Sequence, residues 1–516
     1  MPGEHPQVAP LEEHLGKRKP EGAIAHVEGK ARAAALVGLA RGYAAAVEES
    51  ARIRAEEQLT PQALSQMVEA VALLSPATAI AARALLSLAA LAPEAQAFRW
   101  PLRLCAGGGA DAVRAALAGT APEATLLLVE PGLEPLAAAC ARPGQGGFAG
   151  PTEALPSMGE VSSLFAPEVL RLVALAGVEV EPLILRAAVK AERVAGAPEQ
   201  SGALRLGALL AGLGVRGAQN VTLLVAPPLL LLARWLETLS MLLPGARPRL
   251  LVESASEAPS AYGEDRLFVS LRLEGTPPDP RVRRLNAAGL PTLQLAVSPE
   301  ELVAEAARWE LALAFAVGAT RWPPLVAEVR TAPAPALEPA LREGPLALYT
   351  TPAHAFVLRK VAGTLGPKAA ASVPHWLAAQ LALGGPGDLL SVHFCALETA
   401  ALRAALPAVQ AAVRGATRLA TRVRTGLAGL GEQAAQRTGG GEGTLLFLLS
   451  DGGGQELGPS PGPTALARRA EEEALFVHAH AGRPALLVRA EDGDAGRLPA
   501  AMLEAAALLA KPAKPQ

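Results

Sequence analysis

With 516 residues and a formal net charge of −2, the chain has room for two or three domains and lacks the positive field that binding to nucleic acid or an anionic membrane needs. Hydrophobic residues make up 51% of it but aromatic residues only 3%, and this Ala/Leu-rich composition points to helix-rich α/β packing with small side chains. The three cysteines, Cys105, Cys140 and Cys395, form no CxxC pair, which argues against a disulfide framework or a zinc site and suits a reducing cytoplasm.

Residues 1–20 are polar and Pro-bearing, with no apolar segment of the secretory kind. From Ala23 to Ala92 the apolar spacing is helical, with Leu36, Leu39, Tyr43 and Val47 recurring at three and four. Leu102–Cys105, then Gly107-Gly108-Gly109, then Ala110–Leu117 reads as strand, glycine turn and helix. Such a turn either cradles an anion with its backbone N–H groups or merely packs helix on strand. Thr125–Glu130 is the next strand, Pro131-Gly132 turns out of it, and the Gly/Pro-rich residues 141–157 read as a loop.

The apolar run Val221–Trp235 is broken by Pro227-Pro228 and is too short to span a bilayer. It divides into a strand, Val221–Val225, and a helix, Leu229–Leu242. Strands follow at Leu250–Val252 and Leu267–Leu273, a helix at Val282–Gly289 and a strand at Pro291–Val297. Strands alternating with helices predict a layered α/β protein with mainly parallel sheets. Farther on, Glu398–Arg414 reads as a helix, followed by the stretch Ala420-Thr421 and by Gly439-Gly440-Gly441 with the apolar Leu445-Leu446-Phe447 after it.

Several of these stretches, from about residue 100 to 490, resemble the phosphoglucose isomerase family. They include Tyr262-Gly263-Glu264-Asp265-Arg266-Leu267-Phe268-Val269, Leu290-Pro291, Ala307-Arg308-Trp309-Glu310, Met158-Gly159-Glu160-Val161-Ser162-Ser163 and Pro386-Gly387-Asp388. The nearest pattern is the isomerase part of transaldolase fusions. The resemblance implies two sugar-isomerase (SIS) units of three α/β/α layers, at 93–205 and 206–335. It also implies an N-terminal helical region at 1–92 and a C-terminal α/β extension at 336–516.

It further implies a glycolytic and gluconeogenic reaction, glucose-6-phosphate to fructose-6-phosphate, with no cofactor and no metal. That chemistry needs a phosphate cradle, a base between C1 and C2, and a cation for the enediolate oxygen. The family's hydroxyl-rich cradle after the first-unit strand corresponds here to Val129-Glu130-Pro131-Gly132-Leu133-Glu134, in which only the glycine remains. Its arginine near the reacting oxygens corresponds to Glu160, beside Ser162; a slip in register would instead leave Glu160 a solvated loop residue.

Glu328 matches a family glutamate, and Arg330 stands where a lysine is expected. Glu253 and Glu257 are the candidates for the base. The expected substrate-binding set is Gly107, Gly108, Gly109, Gly132, Ser162, Glu130 and Glu160. Carboxylates in place of hydroxyls and cations make catalysis weak or lost; Glu130, Glu134 and Glu160 together would suit a neutral or cationic ligand.

The expected partners are therefore a sugar phosphate or another small polar ligand, no nucleic acid, no membrane, and a second copy of the chain as a homodimer. A non-catalytic regulatory or scaffold subunit is the other function consistent with these residues. His354, His375, His393, His478 and His480 show no partner at recognisable spacing, and Glu471-Glu472-Glu473 reads as a solvated helix face.

Overall fold

The computed structural model describes residues 69–74, 76–91, 102–106, 117, 125–130, 137–138, 152–154, 164–196, 201–215, 220–242, 249–253, 258–319, 339–365, 371–396, 399–425, 444–451, 471–472, 475 and 484–510. Within them the chain is an α/β protein of three sheets, two of them wholly parallel and the third parallel over four of its six strands.

The first sheet contains β1 (Glu69–Leu74), β2 (Leu102–Ala106), β3 (Thr125–Val129) and β4 (Thr152–Ala154) in the order β2-β1-β3-β4. Two expectations change here. The helical spacing of Ala23–Ala92 holds for α1 (Pro76–Leu91), but Glu69–Leu74 is the central strand, hydrogen-bonded to both β2 and β3. Glu-Ala-Val-Ala-Leu-Leu has no period-2 alternation because both its faces are buried, so a helix and a central strand look alike at this length. The loop 141–157 contains β4, whose three residues pair with Leu127–Val129.

Helices α2 (Pro167–Leu175), α3 (Val180–Gly196) and α4 (Gly202–Val215) lead to the second sheet. It is built from β5 (Asn220–Val225), β6 (Arg249–Leu251), β7 (Arg266–Leu273) and β8 (Thr292–Val297), ordered β6-β5-β7-β8. α5 (Leu230–Leu242), α6 (Pro280–Ala287) and α7 (Leu302–Ala319) complete this unit. α6 starts sharply because Asp279 caps it, accepting from the Arg281 N–H at 2.9 Å, and Pro280 supplies a ready-made first turn.

One face of β5, β6 and β7, carrying Val221, Leu223, Leu250, Leu267 and Val269, joins Ala72, Leu74, Leu126 and Leu128 of the first sheet in a continuous apolar core. Trp235 of α5 and Trp309 of α7 are fully buried in it. Burial on this scale supplies most of the stabilisation, at about 25 cal/mol per Å² of apolar surface.

The C-terminal unit has its own core. Its sheet runs β12-β11-β13-β14-β10-β9, with β9 (Leu341–Glu343), β10 (Leu346–Tyr349), β11 (Leu389–Cys395), β12 (Ala420–Thr425), β13 (Thr444–Ser450) and β14 (Ala485–Ala490). Its helices are α8 (Pro352–Leu365), α9 (Val373–Ala382), α10 (Ala400–Thr417) and α11 (Arg497–Ala510). Among the described residues no helix is long and apolar enough to cross a membrane.

Candidate functional site

In the first sheet the chain leaves β1 for β2 on one side and returns to β3 on the other. The strand order therefore reverses over the carboxyl ends of β1 and β3, which is where open α/β sheets form their ligand crevice. β1 is followed by α1, whose first turn carries the positive end of the helix dipole.

Glu130 follows β3 at that point. Its N–H donates to the Leu73 carbonyl at 3.0 Å, and its carboxylate accepts from Thr78 Oγ1 in the first turn of α1, also at 3.0 Å. Thr78 is buried and Glu130 half-buried. The chain thus delivers its own negative charge to the helix end that would otherwise attract an anion.

Glu253 lies two residues beyond β6, with its side chain fully enclosed. One face of the second sheet carries Asn220, Thr222, Arg249, Leu251, Arg266, Phe268 and Ser270, by alternation along strands in the observed register. Within it the Glu253 carboxylate accepts from Arg266 Nη1, from Thr222 Oγ1 at 3.1 Å and from the Thr421 N–H of β12 at 2.9 Å. Arg414 Nη1 of α10 stands 3.8 Å away. The Tyr262 ring faces both guanidinium groups, 5.5 Å from Arg266 and 5.0 Å from Arg414.

Glu237 of α5 repeats the arrangement. It accepts from Arg234 at 3.2 Å and from Arg424 of β12 at 2.7 Å, with Arg422 at 3.8 Å. Both acids therefore bridge the second sheet's unit to the C-terminal unit, and Glu253 is tied up as a joint. A proton-shuttling base needs an open approach to a substrate carbon, which an enclosed carboxylate with these donors does not offer.

Of the remaining candidates, Gly107, Gly108, Gly109, Gly132, Ser162, Glu160, Glu257, Glu328 and Arg330 lie outside the described residues. The structure accordingly places Glu130 and Glu253 at separate sites, one at the mouth of the first sheet and the other beneath the second.

Sequence reasoning missed Thr78, Thr222, Arg266, Glu237, Arg414 and Arg424. The signal it passed over was the alternation Thr421-Arg422-Val423-Arg424, a strand whose charged positions point one way. It also misread Glu471, which is buried rather than solvated. Glu471 accepts from Ser450 Oγ at 2.7 Å and from Arg489 at 3.2 Å. Burial raises its pKa, against the lowering effect of these partners, and burial likewise pushes the nearby Cys395 thiol well up. His354 does have a partner, Gln380 Oε1 at 2.5 Å, and burial lowers its pKa.

No protein-family profile matches the chain, and no curated protein matches it. Among solved structures it is similar to a hypothetical protein from Thermus thermophilus, at 13% identity and a TM-score of 0.42 over 60% of this chain and 90% of that one. It is similar to a glucose-6-phosphate isomerase from Chlamydia trachomatis at 14% identity and a TM-score of 0.40, over 53% and 69%. It is also similar to the C-terminal domain of a glucosamine-fructose-6-phosphate aminotransferase from Francisella tularensis, at 9% and 0.35, over 56% and 95%.

Proposed function

We propose that this chain is a carbohydrate-derivative-binding protein of sugar-isomerase architecture in which the interconversion of glucose-6-phosphate and fructose-6-phosphate is weakened or lost. The observation that carries the reading is Glu130. Its carboxylate, anchored by Thr78, lies against the first turn of α1, where the dianionic phosphate of a sugar ester would otherwise be drawn. Two unit charges 4 Å apart repel by about 1 kcal/mol in water and about 4 kcal/mol at the effective dielectric of a protein surface. A dianion placed there is therefore disfavoured while a neutral or cationic sugar is not. Glu160, which stands where the family has an arginine, acts in the same direction, whereas Arg330 keeps the positive charge of the family's lysine without its compact ammonium.

A second reading, a regulatory or scaffold subunit with no sugar chemistry, is favoured by Glu253, one of the two candidate bases, which is enclosed by Arg266, Thr222 and Thr421. The full-length chain separates these readings. Turnover of fructose-6-phosphate at an enzyme-like rate overturns both. Thermal stabilisation by glucosamine but not by glucose-6-phosphate supports the binding protein, and stabilisation by neither supports the subunit.

A further inference from the structure

The joint between the second sheet and the C-terminal unit is polar along its length. Glu253 meets Thr421 and Arg414 across it, Glu237 meets Arg422 and Arg424, Asn220 Nδ2 donates to the Gly387 carbonyl at 3.5 Å, and the Gly263 N–H donates to the Arg418 carbonyl at 3.1 Å. The apolar cluster spanning it consists of Leu251, Leu389 and Ala420.

The docked state also leaves hydrogen-bonding capacity unused. Arg266 is fully buried, yet its Nε and Nη2 have no hydrogen-bond partner among the described residues, and neither does the buried Oδ1 of Asn220, its neighbour in register. Nε and Nη2 form the side-on edge with which arginine grips planar acceptors, so the strongest face of this guanidinium is unspent. Water reaching the joint would satisfy all three atoms.

From these features we infer that the C-terminal unit, residues 339–510, undocks reversibly from the second sheet as a body, while the first two sheets stay fused. Opening exposes charged and amide groups that water solvates, together with very little apolar surface. Polar junctions between domains are where relative motion is expected, at free energies below that of global unfolding. The motion uncovers the face bearing Asn220, Thr222, Glu253 and Arg266.

Hydrogen exchange on the full chain tests this with two reporters from opposite sides of the joint, the Gly263 and Thr421 amides. The controls are the Leu223 and Val392 amides in central strands β5 and β11. Both reporters are expected to exchange on the order of 100-fold faster than the controls. Glu253→Gln is expected to speed Gly263, which it does not touch, by about tenfold with the controls unchanged.

If that variant does not fold, Arg424→Gln at the edge of the joint serves in its place, with the same expectation. Equal exchange at reporters and controls in the wild type overturns the proposal. So does fast exchange at Thr421 alone, which is fraying of edge strand β12, or a variant that leaves Gly263 unmoved.

Discussion

The first and second sheets meet through one apolar cluster that includes Leu74, Leu128, Trp235 and Trp309, whereas the second sheet meets the C-terminal unit through Glu253, Glu237 and the arginines around them. The two contacts differ in what they demand of the sequence. An apolar contact is non-directional and tolerates any side chain of suitable size, so it welds two layers without fixing individual partners. A buried ion pair contributes only when donors and acceptors are in place, and its loss strands the survivor in a medium that cannot solvate it. The first seam is thus strong and indifferent to detail, and the second depends on a handful of named atoms.

The largest expected effect tests the first seam. Trp309→Ala removes a fully buried indole from the shared core and is expected to cost on the order of 4 kcal/mol, with the first two sheets losing stability together in denaturant titration. Glu253→Ala attacks the second seam and should cost about 3 kcal/mol, since Arg266 is then left buried without its acid. The double variant Glu253→Leu, Arg266→Met should recover most of that loss. If it does not, the joint depends on more than charge pairing.

Glu237→Ala should cost less, about 2 kcal/mol, because Arg234 and Arg424 reach partly into solvent and can rehydrate. Arg342→Ala, which removes an exposed pair with Glu491, should change stability by less than about 1 kcal/mol and calibrates the scale.

The smallest effect concerns a buried acid inside one unit. Folding raises the pKa of Glu471, so its contribution to stability is fully present below the ordinary carboxylate value of 4.5 and is lost as pH rises through the folded value. The stability of wild type relative to Glu471→Gln should therefore fall as pH rises above the ordinary carboxylate value of 4.5 in chemical denaturation. A rise would mean that Arg489 outweighs burial there.

Much of the fold was legible. β5, β7, β8 and β11 are apolar runs bounded by Pro, Gly or acidic residues, and α6 announces itself through Asp279-Pro280. β1 was not, because an Ala/Leu/Val strand buried on both faces carries no alternation. β4 was not, because three residues among glycines and prolines give no period.

For the site, Glu130 was singled out for the sign of its charge, and its place against α1 bears on that. Glu253 was singled out as a base, while its donors are Arg266, Thr222 and, 168 positions away, Thr421; Glu237 pairs with a residue 187 positions away. Separations of that order leave no local pattern, and only the folded chain brings such groups together.

At the margin of the ionic seam two turns meet through a backbone hydrogen bond. Arg418 takes a left-handed conformation, φ 61°, at the end of α10 and aims its carbonyl at the Gly263 N–H. A methyl group on Gly263 would stand 3.2 Å from that carbonyl oxygen. Neither group is a side chain, so the pose of the C-terminal body is written in peptide geometry, whatever residues grip it elsewhere. Swapping charges would change how firmly it is held, while one residue inserted in either turn would swing it to a new bearing.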